Sequence, residues 1–192
     1  MRALSHRPQV QLGAEPDVCA AVHVRREQLA GGDAGVTRTV QVMRELVRDN
    51  RGHPIVRAHA ERAVAGVSPG DSLAEVLAVR DYLVGLVDYR QDPNGVEWLQ
   101  APWAVFACQI DRGTRPQLDC DDLTMLSLAA LEAIGHRTKL RVVSHRADRQ
   151  FNHVYGVVAL GREWAALDLV ESWRPEGRTP PAETRVLEVE VG

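Results

Sequence analysis

Residues 118–135 read LDCDDLTMLSLAALEAIG, and this stretch decides the fold. Leu126, Leu128, Ala129, Leu131 and Ile134 leave almost no polar face between Asp121 and Ile134. That pattern predicts a helix buried on most sides. Gly135 is the expected C-terminal glycine. A cysteine, Cys120, stands just before the helix, between Asp119 and Asp121.

Ahead of this helix the pattern is helical. Val40, Val42, Met43, Leu46 and Val47 predict a helix over 36–49, with Thr37 or Thr39 as its cap and Asn50-Arg51-Gly52 as its stop. Pro54 opens a second helix running to about Val67. A third begins near Ser72, capped by Asp71 or Ser72, and carries Leu73, Val76, Leu77, Leu83 and Leu86. Pro102 suits the first turn of a short helix. Farther upstream, Gln9–Leu12 and Val18–Val24 read as strands, Arg25-Arg26-Glu27 as a solvated face and Gly31–Gly35 as a loop.

After Gly135 the period changes to two. Leu140–Val143, Val154–Leu160, Trp164–Val170 and Val186–Val191 predict strands, and Leu160-Gly161-Arg162-Glu163 a hairpin turn. Helices first and an antiparallel sheet afterwards make an α+β fold: a helical N-terminal half packed on a C-terminal antiparallel β-sheet, with the cysteine at the N-terminus of a buried helix. Residues 1–70 are expected to form an N-terminal extension with helices, suited to a docking arm, and 71–192 the core.

The chain has 192 residues, enough for one domain with an extension and a real core. A net charge of −3 argues against a nucleic-acid footprint. The start, MRALSHRPQV, has no apolar secretory region, and no apolar stretch reaches bilayer-spanning length. Three cysteines, Cys19, Cys108 and Cys120, form no closed disulfide framework by count, so free thiols and a reducing compartment are expected. A soluble, cytoplasmic protein follows. No nucleotide-binding glycine motif is present, and no cofactor is implied.

The candidate chemistry centres on Cys120. A helix N-terminus carries unpaired N–H groups and partial positive charge, which favour a thiolate and can hold an oxyanion. Asp119, Asp121 and Asp122 oppose this with negative charge, unless they cap the helix and point away from the sulfur. His153 heads a predicted strand, and Asp168 lies on the next one. Counted back from the hairpin turn, these two are near cross-strand partners, so the carboxylate can orient the imidazole toward Cys120. Glu171 is an alternative orienter, on the opposite face by alternation. Gln100, Trp98 and Trp103 carry side-chain N–H groups that could supply a second oxyanion donor, Gln100 first. His145 could join His153 and a carboxylate around a metal, but no close-spaced ligand pair supports a metal site. His53 and His59 flank a helix and read as surface residues; Cys19 and Cys108 read as core or surface thiols.

Asp119-Cys120-Asp121-Asp122-Leu123, then Asn152-His153-Val154-Tyr155, then Trp164…Leu167-Asp168 resemble the transglutaminase-like, papain-related proteins of the bacterial and phage type. The resemblance covers about residues 73–170 and includes Val96–Pro102. Many relatives have Gly where this chain has Leu118, and Pro where it has Leu169. The resemblance implies a cysteine-dependent acyl-transfer enzyme with Cys120 as nucleophile, His153 as base and Asp168 as orienter. Its substrate would be a protein or peptide, cleaved or cross-linked through a thioester. It equally allows a non-catalytic structural or binding module, such as a phage or prophage virion component that contacts other virion proteins. No nucleic-acid or membrane partner is implied.

Overall fold

The computed structural model describes residue 19, residues 32–92, 98–173 and 182–192. Three helices lead: α1 (Gly32–Asn50), α2 (Pro54–Ala63) and α3 (Ser72–Leu86). A two-residue strand β1 (Asp88–Tyr89) pairs in parallel with β2 (Gln117–Leu118) across an intervening helical segment. That segment is α4 (Pro102–Val105), continued by a π-turn over Phe106–Ile110. Then come α5 (Cys120–Ala133), β3 (Thr138–Ser144), β4 (His153–Leu160), β5 (Glu163–Leu167), a 3-10 turn (Leu169–Trp173) and β6 (Arg185–Glu190). The four long strands form one antiparallel sheet in the order β5-β4-β3-β6. The mixed α+β class and the helices-then-sheet order agree with expectation.

α5 is the hub. Every residue of it except Cys120 and Glu132 is buried. α1, α2 and α3 pack on it from one side and the sheet from the other. Met125, Leu126, Leu128 and Leu131 are all fully buried, each worth roughly 1.5–3 kcal/mol of burial free energy. Gly135 takes φ of +98° and ends the helix, a conformation other residues reach at a cost. Leu140, Val142, Val154 and Val158 face α5, while Val143, Tyr155 and Val157 form a small cluster on the sheet's other face.

Gly156 fixes how closely helix and sheet approach. A Cβ built there would lie 2.6 Å from Leu128 Cδ2, inside contact distance. The missing side chain lets α5 lie against β4, and so brings the start of α5 to the start of β4.

Several expectations are corrected. α1 begins at Gly32, so the expected 31–35 loop is helical from Gly32. Thr37 is inside the helix, its hydroxyl donating to the Asp33 carbonyl at 2.8 Å, and does not cap it. α2 ends at Ala63, short of Val67. α3 is capped by Asp71, whose Oδ1 accepts from Ala74 N at 3.0 Å. The strand expected to reach Val170 stops at Leu167, because Asp168 Oδ1 accepts from Val170 N at 3.0 Å and starts the 3-10 turn. Val40, Met43, Val47, Val56 and Ala60, from α1 and α2, belong to the same core as Leu126 and Val158. The strands expected at 9–12 and 18–24, and the charged run at 25–27, lie outside the described residues except for Cys19.

The thiol expectation is also corrected. Cys19 and Cys108 are disulfide-bonded, with Cα atoms 5.4 Å apart, leaving Cys120 as the free cysteine. An odd count bounds the number of bridges and does not forbid one. The three free thiols on which a reducing compartment was expected are therefore not present. His59 is not a surface residue: it is 2% exposed, its ring stacks on Phe106 at 4.1 Å, and Tyr82 and Asp111 bond its two nitrogens. Burial holds its pKa below the usual imidazole value, against the raising effect of Asp111. No helix among the described residues is long and apolar enough to cross a membrane.

Candidate active site

Asp119 caps α5. Its backbone is extended, and Oδ1 accepts from the N–H groups of Asp121 at 3.0 Å and Asp122 at 3.2 Å. This satisfies two of the orphan donors at the helix start and stations Cys120 as the first helical residue.

β4 meets that helix start edge-on. The backbone of Val154, the residue after His153, acts on the Cys120 thiol to lower its pKa. The Val154 carbonyl accepts from Thr124 Oγ1 at 3.2 Å, one turn along α5. Val154 is thus tied to the first turns of α5 through its carbonyl, and His153 is its immediate neighbour.

His153 and Asp168 are brought together. Nε2 of His153 and Oδ2 of Asp168 lie 2.7 Å apart, both side chains mostly buried. The other Asp168 oxygen takes the Val170 N–H, so both carboxylate oxygens are fixed. With Nε2 engaged, Nδ1 is the imidazole nitrogen left for a proton transfer. Glu171 lies in the 3-10 turn that Asp168 begins.

The thiol itself departs from the helix-dipole expectation. Burial pushes Cys120 well above the ordinary thiol pKa, and the charges of Asp121 and Asp119 push it further; the Val154 backbone acts in the opposite direction. Cys120 Sγ donates to Asp121 Oδ1 at 3.4 Å, so Asp121 faces the sulfur. Desolvation and like charge outweigh the half-charge of a helix end. The resting thiol is protonated.

Asp122 points the other way. Its Oδ1 accepts from Gln100 N at 2.8 Å and its Oδ2 from Gln100 Nε2 at 2.9 Å. Burial pushes this carboxyl up to about 7, partly offset by the Gln100 donors. Gln100 Oε1 accepts from Gln109 Nε2 at 2.7 Å. Gln100 is therefore neither loose nor solvent-facing: it is tied to the first turn of α5. Trp98 is 44% exposed, its backbone N–H bonded to Asp92. The Trp103 ring stacks on His53, which caps α2.

His145 comes near His153, with ring centroids 5.7 Å apart, and its Nδ1 is buried without a partner. Among the described residues no group of three or more His, Cys, Asp or Glu side chains is arranged to hold a metal ion.

Tyr89 is the site residue that sequence reading missed. The parallel β1–β2 pair registers it with the fully buried Leu118, beside the start of α5. Burial raises its pKa, and the charges of Cys120, Asp119, Asp168 and Asp121 add to the rise, so its phenol is within electrostatic reach of these groups. A two-strand pairing across the whole helical segment has no local sequence signal.

No family model matches the chain, and no curated protein matches it. Among solved structures, a candidate protease from Parabacteroides distasonis is similar at 11% identity over 68% of this chain and 26% of its own, with a TM-score of 0.48. A candidate cysteine protease from Cytophaga hutchinsonii is similar at 13% identity over 71% of this chain and 51% of its own, with a TM-score of 0.41. This chain thus spans about a quarter of the first and about half of the second.

Proposed function

We propose that this protein is a cysteine-dependent acyl-transfer enzyme with a transglutaminase-like, papain-related fold, acting on protein or peptide substrates. Cys120 is the nucleophile, His153 the base and Asp168 the orienter. The observation that carries the reading is the 2.7 Å His153–Asp168 pair, held one residue from Val154, whose carbonyl is bonded to Thr124 on the helix that Cys120 begins.

Because the resting thiol is protonated, attack and proton transfer go together. His153 takes the Cys120 proton as sulfur bonds to the substrate carbonyl carbon. The carbonyl π pair moves to oxygen, where the Cys120 N–H, the first of α5, meets it, the next N–H groups being taken by the Asp119 cap. The C–N bond then breaks, the leaving amine takes the proton from His153, and a thioester remains. Water, deprotonated by His153, attacks the thioester and releases the acid and the thiol. An amine in place of water would give a cross-link; hydrolysis is the preferred outcome.

The test uses p-nitrophenyl acetate as a generic acyl donor, with intact mass of the protein and release of nitrophenolate. Acetylation of Cys120 is expected, absent in Cys120→Ala and about a hundredfold slower in His153→Ala. Acetylation no faster than that of a free cysteine would end the enzyme reading.

A second reading has its own support. The raised thiol pKa also suits a non-catalytic binding module, for which a virion component is the case the sequence resemblance offers. In that case Cys120→Ser changes nothing in assembly or binding.

A further inference from the structure

A second hydrogen-bonded relay lies in the helical half, built from three segments and sharing no residue with the Cys120 site. His59 on α2 is 2% exposed, and its ring stacks on Phe106 with centroids 4.1 Å apart and planes 16° apart. Its Nε2 lies 3.1 Å from Asp111 Oδ1, and its Nδ1 lies 2.7 Å from the hydroxyl of Tyr82 on α3. Asp111 closes the π-turn, its N–H donating to the Phe106 carbonyl at 2.8 Å. Arg62, one turn beyond His59, donates from Nη1 to the Tyr82 oxygen at 3.2 Å and approaches His59 Nδ1 at 3.4 Å.

The partners settle where the protons sit. A carboxylate only accepts and a guanidinium only donates. Nε2 therefore carries the ring proton, toward Asp111, and Nδ1 offers a lone pair to the Tyr82 O–H. Burial holds His59 below the usual imidazole pKa, so it rests neutral and can take a proton. The Asp111 carboxylate then stabilises the imidazolium that forms. A hydroxyl, a base within hydrogen-bond reach and a third group orienting the base is the arrangement that activates a nucleophile. The imidazole is sealed, but Tyr82 is only half-buried, Arg62 is exposed and the Asp111 side chain is 45% exposed. The phenol end of the relay is the end that faces solvent.

We propose that Tyr82 is a second nucleophile that accepts phosphoryl-type electrophiles, with His59 as its base, Asp111 as the residue positioning that base and Arg62 as the group that meets the phosphoryl oxygen. This goes beyond the acyl-transfer reading and does not depend on it. The phenol oxygen bonds to phosphorus, its proton passes to His59 Nδ1, and the leaving group departs with its bonding pair. Negative charge gathers on the phosphoryl oxygens, which a planar guanidinium suits. His59 then returns the proton to water.

The test treats the full chain with a fluorophosphonate ester, from which fluoride leaves, and locates the label by peptide mass spectrometry. N-acetyltyrosine amide is the reference. Tyr82 is expected to label about a hundredfold faster than this reference, the lower range of what a positioned base supplies. His59→Phe keeps an aromatic ring against Phe106 and is expected to remove that advantage. Asp111→Asn and Arg62→Gln are each expected to slow labelling about tenfold, the weight of one charge-assisted hydrogen bond. Asp111→Glu is expected to recover most of the rate, a rescue that a packing role would not produce. Both of these side chains reach the surface, so their variants decide the matter even if His59→Phe folds poorly. Tyr82 labelling no faster than the free amide overturns the proposal. So does labelling within twofold of wild type in both Asp111→Asn and Arg62→Gln, which would leave the relay a packing feature.

Discussion

His153 Nε2 meets Asp168 Oδ2 at 2.7 Å although the two residues are not direct cross-strand partners. The β4–β5 ladder pairs Gly156 with Leu167, so one step further sets Asp168 beside Tyr155, two residues from His153 on the same face. The contact is diagonal. It forms because β5 ends at Leu167 and Asp168 starts the 3-10 turn, which fixes its carboxylate.

Asp168→Asn is therefore expected to slow Cys120 acetylation by about a hundredfold or more, because an amide cannot hold the imidazole in the same tautomer. Thermal stability measured alongside should change little. A variant that acetylates at the wild-type rate would remove Asp168 from the mechanism.

Asp121 faces the Cys120 sulfur and raises its pKa by its charge and by accepting the S–H. Asp121→Asn is expected to move the pH midpoint of iodoacetamide alkylation downward, toward an ordinary thiol. The check is alkylation rate against pH followed by mass spectrometry. An unmoved midpoint would mean that burial and Asp119, without Asp121, set the thiol.

Asp122 titrates near 7 in the folded protein against 3.8 as its ordinary value. The folded state thus binds the proton more tightly. The stabilisation this group contributes is complete below about 4 and is lost as pH rises through about 7. Asp122→Asn is expected to flatten the pH dependence of stability across that window, read from urea midpoints. Carboxyl-carbon NMR should show one aspartate with a midpoint near 7; none above 5 would refute the assignment.

Gly156→Ala places a methyl against the fully buried Leu128. Overpacking of this kind costs about 1–3 kcal/mol. The same variant should slow Cys120 acetylation, because α5 must move off β4 and the Thr124–Val154 bond lies along that seam. Loss of stability with unchanged acetylation would separate the packing of the seam from the site.

Much of this was legible in residue order because it is local. The all-round apolar face of 121–134 could only be a buried helix, and Asp119 with Gly135 bounds it. The period-two runs after Gly135 became four paired strands, two of them joined by the hairpin turn, since alternation reports a sheet face directly. The His153–Asp168 pair was likewise readable, from the count back to the hairpin turn.

What needed the tertiary structure was everything set by burial and by distant neighbours. The Cys120 titration follows from desolvation and from the side Asp121 turns to the sulfur, and neither is encoded in the fact that three aspartates flank a cysteine. His59 is surrounded by Phe106, Tyr82 and Asp111 from three separate segments, so its place inside the core had no local sign. Tyr89 reaches the site through a parallel pairing across the helical segment, and Gln100 is fixed by partners on both sides of it in sequence. Periodicity and caps are properties of neighbouring residues and can be read from the chain. Solvation, charge proximity and hydrogen-bond satisfaction are properties of space, and only the packed fold determines them.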